Sequence, residues 1–496
     1  MENVSDQLLG QSALQNRSNG YEKSLPYGCY ENSLIGEYAR MLLLLVAIPL
    51  LVWLGQLANS QHMSLTSLIA AAVLLASLVT KRGNVWFRAI LLAAMTFNVF
   101  SAVINPNDVW VSDGAPNPLA IPNVILLICL AVASLFEIGG LLQKNDRQAS
   151  IKLLWWGLLA IPALGYIVGI PLFNSLWEAL SGEAVDVAGK GPDWTIAKEM
   201  TFRAAKFLVF GIFTYLGACI GSFLNVVAYC VPRGESAGLR DSSCPKCKTK
   251  ISRMDNLPVF SYINLSARCR ACQVPIPARY LIVELLVAAI FGSLFLYELV
   301  TGAANIPAMG KVSYTGILWI VLYPKWHIIS IYFFHCFFMS FLVVLSLIEW
   351  DRQKLALRFS IGLVLSFLIP ATIFFTLQPV PVPEFLSSIG GNIPMVSQFA
   401  KLVFGGVVGA AVAGLLGALL KQPCHSTLIP AMALAGIVLG WQSILHVSIL
   451  MLLLLLVVRF VPRLRGSLAE QPTFLLLMAV MIHHPFWKIV FEKFSI

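Results

Sequence analysis

Residues 242–286 read SSCPKCKTKISRMDNLPVFSYINLSARCRACQVPIPARYLIVELL, and this stretch decides how the rest of the chain is arranged. It is polar and rich in cysteine, and it ends in the start of an apolar helix. The remainder is largely apolar, because 58% of the 496 residues are hydrophobic and only 12% are charged. Soluble domains carry roughly twice that charged fraction. The composition therefore predicts an all-α polytopic membrane protein with a small polar segment outside the bilayer.

Apolar runs mark the predicted crossings, since a helix needs about 20 apolar residues to span a hydrocarbon core of about 30 Å. About thirteen runs meet this requirement. They begin near Ala39, Leu65, Val85, Ile121, Ile151, Phe207, Tyr280, His327, Phe359, Lys401, Leu428, Leu445 and Thr473. The polar composition of residues 1–38 predicts an amino-terminal tail. The shorter apolar stretch 313–322 predicts an interfacial or re-entrant segment.

Basic residues set the predicted orientation, because loops rich in lysine and arginine stay on the cytoplasmic side. Residues 232–279 hold nine basic and three acidic residues, which supply more than half of the net charge of +10. We therefore expect this loop on the cytoplasmic face of a bacterial inner membrane, near anionic lipid headgroups. The charge reflects topology and gives no support for nucleic acid binding.

Four cysteines in this loop have the spacing of a metal site: Cys244, Cys247, Cys269 and Cys272 form two C-x2-C pairs that are 21 residues apart. Two such pairs can complete a tetrahedral thiolate shell, which predicts structural zinc. Two alternatives are a pair of disulfides, which a reducing cytoplasm disfavours, and incidental free thiols. The other six cysteines are scattered and behave as small hydrophobic residues.

Four motifs lie before, between, at and after the cysteine pairs: GACIGSFLNVVAYCVPRGES at 217–236, DNLPVFSY at 255–262, RCRAC at 268–272 and PIPARYLIVELL at 275–286. Together they resemble the amino-terminal region of type IV prepilin peptidases, the bifunctional leader peptidases and N-methyltransferases. The resemblance implies a substrate-receiving region that includes Asn225, Asp255, Arg279 and Glu284. It also implies prepilin or pseudopilin leader peptides as partners, S-adenosylmethionine where methyl transfer is retained, and contact with assembly proteins of type IV pili or type II secretion.

The resemblance divides the chain. Residues 39–180 carry extra transmembrane helices of unknown role. Residues 205–286 correspond to the amino-terminal peptidase region, with the zinc-binding loop at 232–279. Residues 312–496 correspond to the helical region in which the family carries its catalytic aspartates.

The family is an aspartic peptidase, and its chemistry needs two carboxyl groups close enough to share one proton. The first motif matches LSLIEWDRQKLALRF at 345–359, where Glu349 replaces the first aspartate and Asp351 follows. Ala356 and Leu357 stand where the family has proline and aspartate. The second motif matches LKQPCHSTLIPA at 420–431, where Leu428 occupies the aspartate position.

The acidic inventory leaves Glu349 and Asp351 as the candidate catalytic residues. No aspartate follows Asp351, and the later glutamates, Glu384, Glu470 and Glu492, lie outside the motifs. Two residues apart on one helix, Glu349 and Asp351 point about 200° apart and cannot pair. A second acid would have to come from Glu284 or Asp255.

Two hypotheses follow, an enzyme that processes prepilin-like substrates and a noncatalytic relative that binds prepilins or assembly proteins. Asp351 also has a simpler interpretation as a solvated helix end. His335 beside Cys336 predicts a packed polar position within a span, and His483 and His484 predict a helix break.

Overall fold

The computed structural model describes residues 163–181, 195–238, 242–244, 246–309, 317–383, 386, 393–419, 426–460 and 470–493. These residues form helices joined by turns, which confirms the predicted all-α class. The predicted tail and the predicted spans near Ala39, Leu65, Val85 and Ile121 lie outside the described residues. The span near Ile151 is described in its second half only.

The helices are numbered in chain order. They are α1 (Ile170–Ser181), α2 (Ile196–Cys230), α3 (Phe260–Asn264), α4 (Ala278–Leu294), α5 (Ile317–Leu322), α6 (Trp326–Trp350), α7 (Leu357–Ile373), α8 (Pro394–Leu419), α9 (Leu428–Leu439), α10 (Trp441–Phe460), α11 (Pro472–His483) and α12 (Trp487–Lys493). Two π-helical segments, Gly165–Gly169 and Phe295–Val300, precede α1 and follow α4.

Five helical segments in the described ranges are long and apolar enough to cross a membrane: Ile196–Arg233, Ala278–Val300, Trp326–Trp350, Pro394–Ala418 and Pro472–Lys493. Helices α7, α9 and α10 are apolar but shorter. All eight lie at predicted crossings, so the multi-pass character is confirmed and the count of about thirteen stays a prediction. Helix α5 has six residues and is too short to cross.

Small residues let two pairs of helices approach closely. A side-chain carbon at Gly221 of α2 would lie 2.8 Å from the Glu284 Cα of α4, so only glycine fits there. On α8, Gly405 and Gly409 pack directly against the backbone of Gly436 and Met432 in α9. The glycine-rich run from Gly405 therefore serves helix contact, as apolar spans without a hydrophobic driving force require.

Helix α6 is the centre of the bundle and contacts α2, α4, α9 and α11. Its face carries fully buried rings such as Tyr332 and Phe338, and Phe367 of α7 packs on it. The same helix carries His335 near its first third and Glu349 in its last turn, both buried. Helix α6 thus positions a polar cluster at each of two levels of the bundle.

Candidate functional site

The four cysteines lie in two turns of the same design. The amide of Lys248 donates to Cys244 O at 2.9 Å, and the amide of Gln273 donates to Cys269 O at 3.0 Å. Lys248 and Gln273 each follow the second cysteine of a pair, and both have positive φ, 58° and 57°. This left-handed residue turns the chain so that both cysteines of a pair face the same point. The repeated backbone geometry is that of two matching knuckles.

The four sulfur atoms fit a single tetrahedral ion. All four Sγ atoms lie within 4.8 Å of one another, and Cys244 Sγ is 3.8 Å from Cys272 Sγ. A metal with bonds to sulfur of about 2.3 Å places tetrahedral sulfurs about 3.8 Å apart, whereas a disulfide needs about 2.05 Å. None of these four cysteines is in a disulfide. The geometry therefore favours the metal alternative over the disulfide one.

Local hydrogen bonds lower the pKa of two of the four thiols, Cys247 and Cys269, while the pKa of the Cys272 thiol is raised to about 11. The side chain and the amide of Thr249 donate to Cys247 and lower the pKa of that thiol to about 6. The amides of Cys272 and Ala271 lower the pKa of the Cys269 thiol. Because the thiolate is the form that binds metal, both shifts favour the ligand at neutral pH.

A γ-turn joins the four-cysteine segment, residues 242–277, to the membrane helices. The amide of Phe260 donates to Pro258 O at 2.7 Å, and Val259 between them has φ 65° and ψ −55°. This is the rare and strained form of the γ-turn, unusual for a β-branched residue. The Val259 amide points into the bundle and donates to Glu284 Oε2 of α4 at 2.7 Å. Glu284 is therefore occupied in holding the segment.

The other residues of the expected substrate region also have structural partners. Asp255 accepts two hydrogen bonds from Arg270, at 2.6 and 2.8 Å, which hold the pKa of its carboxyl below the usual range. Asn225 is buried and donates to Gly221 O within α2. Each of these contacts stabilises the segment, and the assignment of these residues to substrate stays a prediction.

Asp351 is not a simple solvated helix end. It follows α6 and accepts two hydrogen bonds from Arg279, in the first turn of α4, at 2.5 and 2.8 Å. The Asp351 side chain is 22% exposed. The pair therefore connects the exit of the four-cysteine segment to the end of the central helix.

Glu349 is buried and accepts hydrogen bonds from two threonines on other parts of the bundle. Its Oε2 accepts from the Thr473 amide at 2.8 Å, and its Oε1 accepts from the hydroxyls of Thr473 at 3.0 Å and Thr427 at 3.3 Å. The motif that replaces the second aspartate is thus beside Glu349, as the family pattern implies. Leu428, which follows Thr427 and occupies the aspartate position of that motif, is a buried hydrophobic residue. Glu349 and Asp351 have separate partners, as their spacing predicted.

Sequence reasoning missed three residues around these acids. Thr473 is the second residue of α11 and is 124 residues from Glu349, and Thr427 was not singled out within LKQPCHSTLIPA. Glu470 pairs with Arg352 at 2.9 Å, next to Asp351, although it lies in a connection without motif context. The only available signal was position, since all three directly precede or begin an apolar helix.

The fold and site define a polytopic helical membrane protein with a four-cysteine segment between its helices α2 and α4. Residues 215–298 match the family described as the Bacterial Peptidase A24 N-terminal domain. In this segment, which holds the four cysteines and the ties to α4, the chain is similar to that domain of bacterial A24 peptidases.

Named relatives are similar to this chain over a limited part of its length. The prepilin leader peptidase/N-methyltransferase of Myxococcus xanthus is 45% identical over 84 residues, 17% of this chain and 25% of the relative. That of Burkholderia pseudomallei is 34% identical over 131 residues, 21% of this chain and 41% of the relative. The type 4 prepilin-like proteins leader peptide-processing enzyme of Escherichia coli is 41% identical over 93 residues, 15% and 35% of the two chains. The chain spans less than half of the length of each. No solved structure matches it.

Proposed function

We propose that this chain processes type IV prepilin or pseudopilin-like substrates at a membrane surface. The observation that carries the proposal is the family match at residues 215–298, whose four-cysteine segment is tied to the acid-bearing central helix through Arg279 and Asp351. A leader peptide would lie against that segment, next to α6. The basic loop supports a cytoplasmic position at a bacterial inner membrane.

Zinc is the ion that we propose for the four cysteines. Thiolates at this spacing prefer a soft or borderline cation, and structural zinc sites are commonly closed tetrahedral shells of this kind. Metal binding would supply folding free energy to a segment with little apolar core of its own. Methyl transfer, where this chain performs it, requires S-adenosylmethionine as the donor.

Noncatalytic binding is the second candidate function, and the surroundings of Glu349 favour it. Peptide hydrolysis by acids needs two carboxyl groups that share a proton. Glu349 accepts from Thr427 and Thr473, Asp351 is held by Arg279, and Leu428 contributes no acid. A chain that retains the receiving segment and lacks the dyad would bind prepilins or assembly proteins without cutting them.

One experiment separates the two functions. The full-length protein in liposomes is incubated with a prepilin peptide and labelled S-adenosylmethionine, and cleavage, methylation and peptide capture are scored separately. Cleaved or methylated product supports processing. Capture without either product supports the binding function, and absence of capture overturns both. Cleavage that disappears in Glu349→Gln but persists in Glu470→Gln would assign the acid to Glu349.

A further inference from the structure

A second cluster of metal-ligating side chains lies inside the helical bundle, and the peptidase resemblance does not cover its chemistry. Glu298 comes from the π-helical segment after α4, His335 from α6 and His484 from the turn after α11. One ligand atom from each lies within 4.8 Å of the other two. All three side chains are fully buried, at 0% exposure. We call this group the Glu298–His335–His484 cluster.

Two imidazole nitrogens converge on one carboxylate oxygen. His335 Nδ1 is 2.7 Å from Glu298 Oε1, and His484 Nε2 is 3.0 Å from the same atom. The first contact is a hydrogen bond, and the second is an ion-pair contact whose angles are poor for a hydrogen bond. An ion with bonds of about 2.0–2.2 Å to nitrogen and oxygen holds its ligand atoms about 3–3.5 Å apart. A small outward shift of these side chains would create that arrangement.

The hydrogen bonds of the cluster leave buried polar atoms without partners. Glu298 Oε2, His335 Nε2 and His484 Nδ1 have none, and His484 Nε2 has only its contact with Glu298 Oε1. Native proteins rarely leave such groups unpaired, and a bound ion is one recognised reason when they do. Ionisable residues within a membrane-spanning bundle are themselves a mark of function. A bound cation would give the carboxylate and the second imidazole a partner together.

The surrounding fold holds the three residues in place. The ring of Trp487 packs edge-on against both histidines, with centroids 5.9 and 5.5 Å apart. The Asn305 side chain donates to His484 O at 3.2 Å, and the Lys488 amide donates to Asn305 O at 2.8 Å. Glu298 lies on a π-helical segment, an irregularity often found at functional sites.

The cluster is separate from the site already described. His335 precedes Glu349 by fourteen residues on the same helix, which is about 21 Å along its axis. Sequence reasoning treated His335 as a packed polar position and His484 as part of a helix break. It could not see that the two histidines meet on one glutamate.

We propose that Glu298, His335 and His484 bind a divalent transition-metal ion of the class of zinc. Two imidazoles and one carboxylate suit zinc, iron, cobalt or nickel. The same three ligand types, with one position left open, form known zinc sites. The proposal does not depend on prepilin processing, because its readout is metal and not product.

Metal content of the full-length protein, purified in detergent through a tag without histidine, tests the proposal. Cys244→Ser/Cys272→Ser protein, loaded with zinc and passed through a desalting column, should retain one ion per chain in the bundle. Adding Glu298→Gln or His335→Gln should reduce the bound metal by one ion. His327→Gln is the matched control, because His327 is an exposed histidine on the same helix. It should change nothing.

Spectroscopy of bound cobalt can identify the side chains that coordinate the metal. Cobalt loaded into the cysteine double variant should lack the intense thiolate charge-transfer band and should show imidazole scattering in X-ray absorption. If the variants do not accumulate, X-ray absorption of the wild-type protein decides, because imidazole scattering must add to that of sulfur. Absence of imidazole scattering, or metal content that Glu298→Gln and His335→Gln leave unchanged, would show that the cluster is only hydrogen-bonded and overturn the proposal.

Discussion

Arg279 and Asp351 form a two-pronged ion pair, although they are 72 residues apart. Arg279 begins the helix that leaves the four-cysteine segment, and Asp351 ends the central helix α6. A carboxylate at a helix C-terminus is repelled by the helix dipole, and the Arg279 guanidinium offsets that repulsion at Asp351. The pair therefore fixes the four-cysteine segment relative to the end of α6, which carries Glu349 and Asp351, the candidate catalytic acids of the family resemblance.

Breaking this pair should destabilise the protein. Asp351→Asn removes the charge, and Arg279→Lys keeps the charge but loses the fork geometry, so each should cost about 1 kcal/mol, reduced by partial solvent exposure. Thermal unfolding in detergent measures the loss. Arg352→Gln is the control, because its pair with Glu470 is 80% and 52% exposed and should contribute little. Equal effects of Asp351→Asn and Arg352→Gln would contradict the structural role of the pair.

Metal removal should unfold the four-cysteine segment and leave the membrane helices folded. Cys272→Ser should abolish binding of the proposed zinc ion and make the bonds after Lys246, Lys248 and Lys250 sensitive to trypsin, since that ion would supply the folding free energy there. Gel analysis of limited digests measures the change. Cys219→Ser, at an exposed cysteine of α2, should leave both metal and digestion pattern as in the wild type. A protected segment in metal-free protein would refute this dependence.

The contact between α2 and α4 should not tolerate a methyl group. Gly221→Ala places a carbon 2.8 Å from Glu284 Cα and 2.9 Å from Val283 O, both backbone atoms that cannot turn away. We expect a loss of about 1–3 kcal/mol. Gly211→Ala lies on the same helix with no atom within 4 Å and should be neutral or slightly stabilising. Thermal unfolding of both variants gives the comparison, and equal stabilities would exclude the close contact.

Glu284 should act as the acceptor that holds the strained turn at Val259. Glu284→Ala leaves a partly buried amide without this partner, at a cost of about 1 kcal/mol. Glu284→Gln keeps an oxygen that can accept the same hydrogen bond. Hydrogen exchange of residues 255–262 should therefore accelerate in the alanine variant and stay near wild type in the glutamine variant. Acceleration in both to the same extent would mean that charge, and not acceptance, is what Glu284 provides.

A second acid beside Glu349 should increase peptide cleavage. Leu428→Asp places a carboxyl next to Thr427, whose hydroxyl already contacts Glu349, and two close carboxyl groups can share one proton. Cleavage of a prepilin peptide should rise above the wild-type level. Leu428→Asn has the same shape without the charge and should show no gain. A folded Leu428→Asp protein that cleaves no faster than Leu428→Asn would mean that the dyad lacks more than this acid.

The sequence alone determined the features that depend on short range or on length. The helical class follows from apolar runs that exceed the bilayer thickness, and the convergence of the thiols follows from two cysteines on one tight turn. The family resemblance likewise came from the contiguous motifs at 217–286.

Only the tertiary structure decided which polar side chains meet. Three sets of contacts bring together residues that are distant in the sequence. They are Glu349 with Thr473, Arg279 with Asp351, and Glu298 with His335 and His484. In a bundle whose helices are apolar on nearly every face, periodicity does not indicate which face contacts which neighbour. The helix packing sets those partners, and it does so through close glycine contacts and a central helix that carries both clusters.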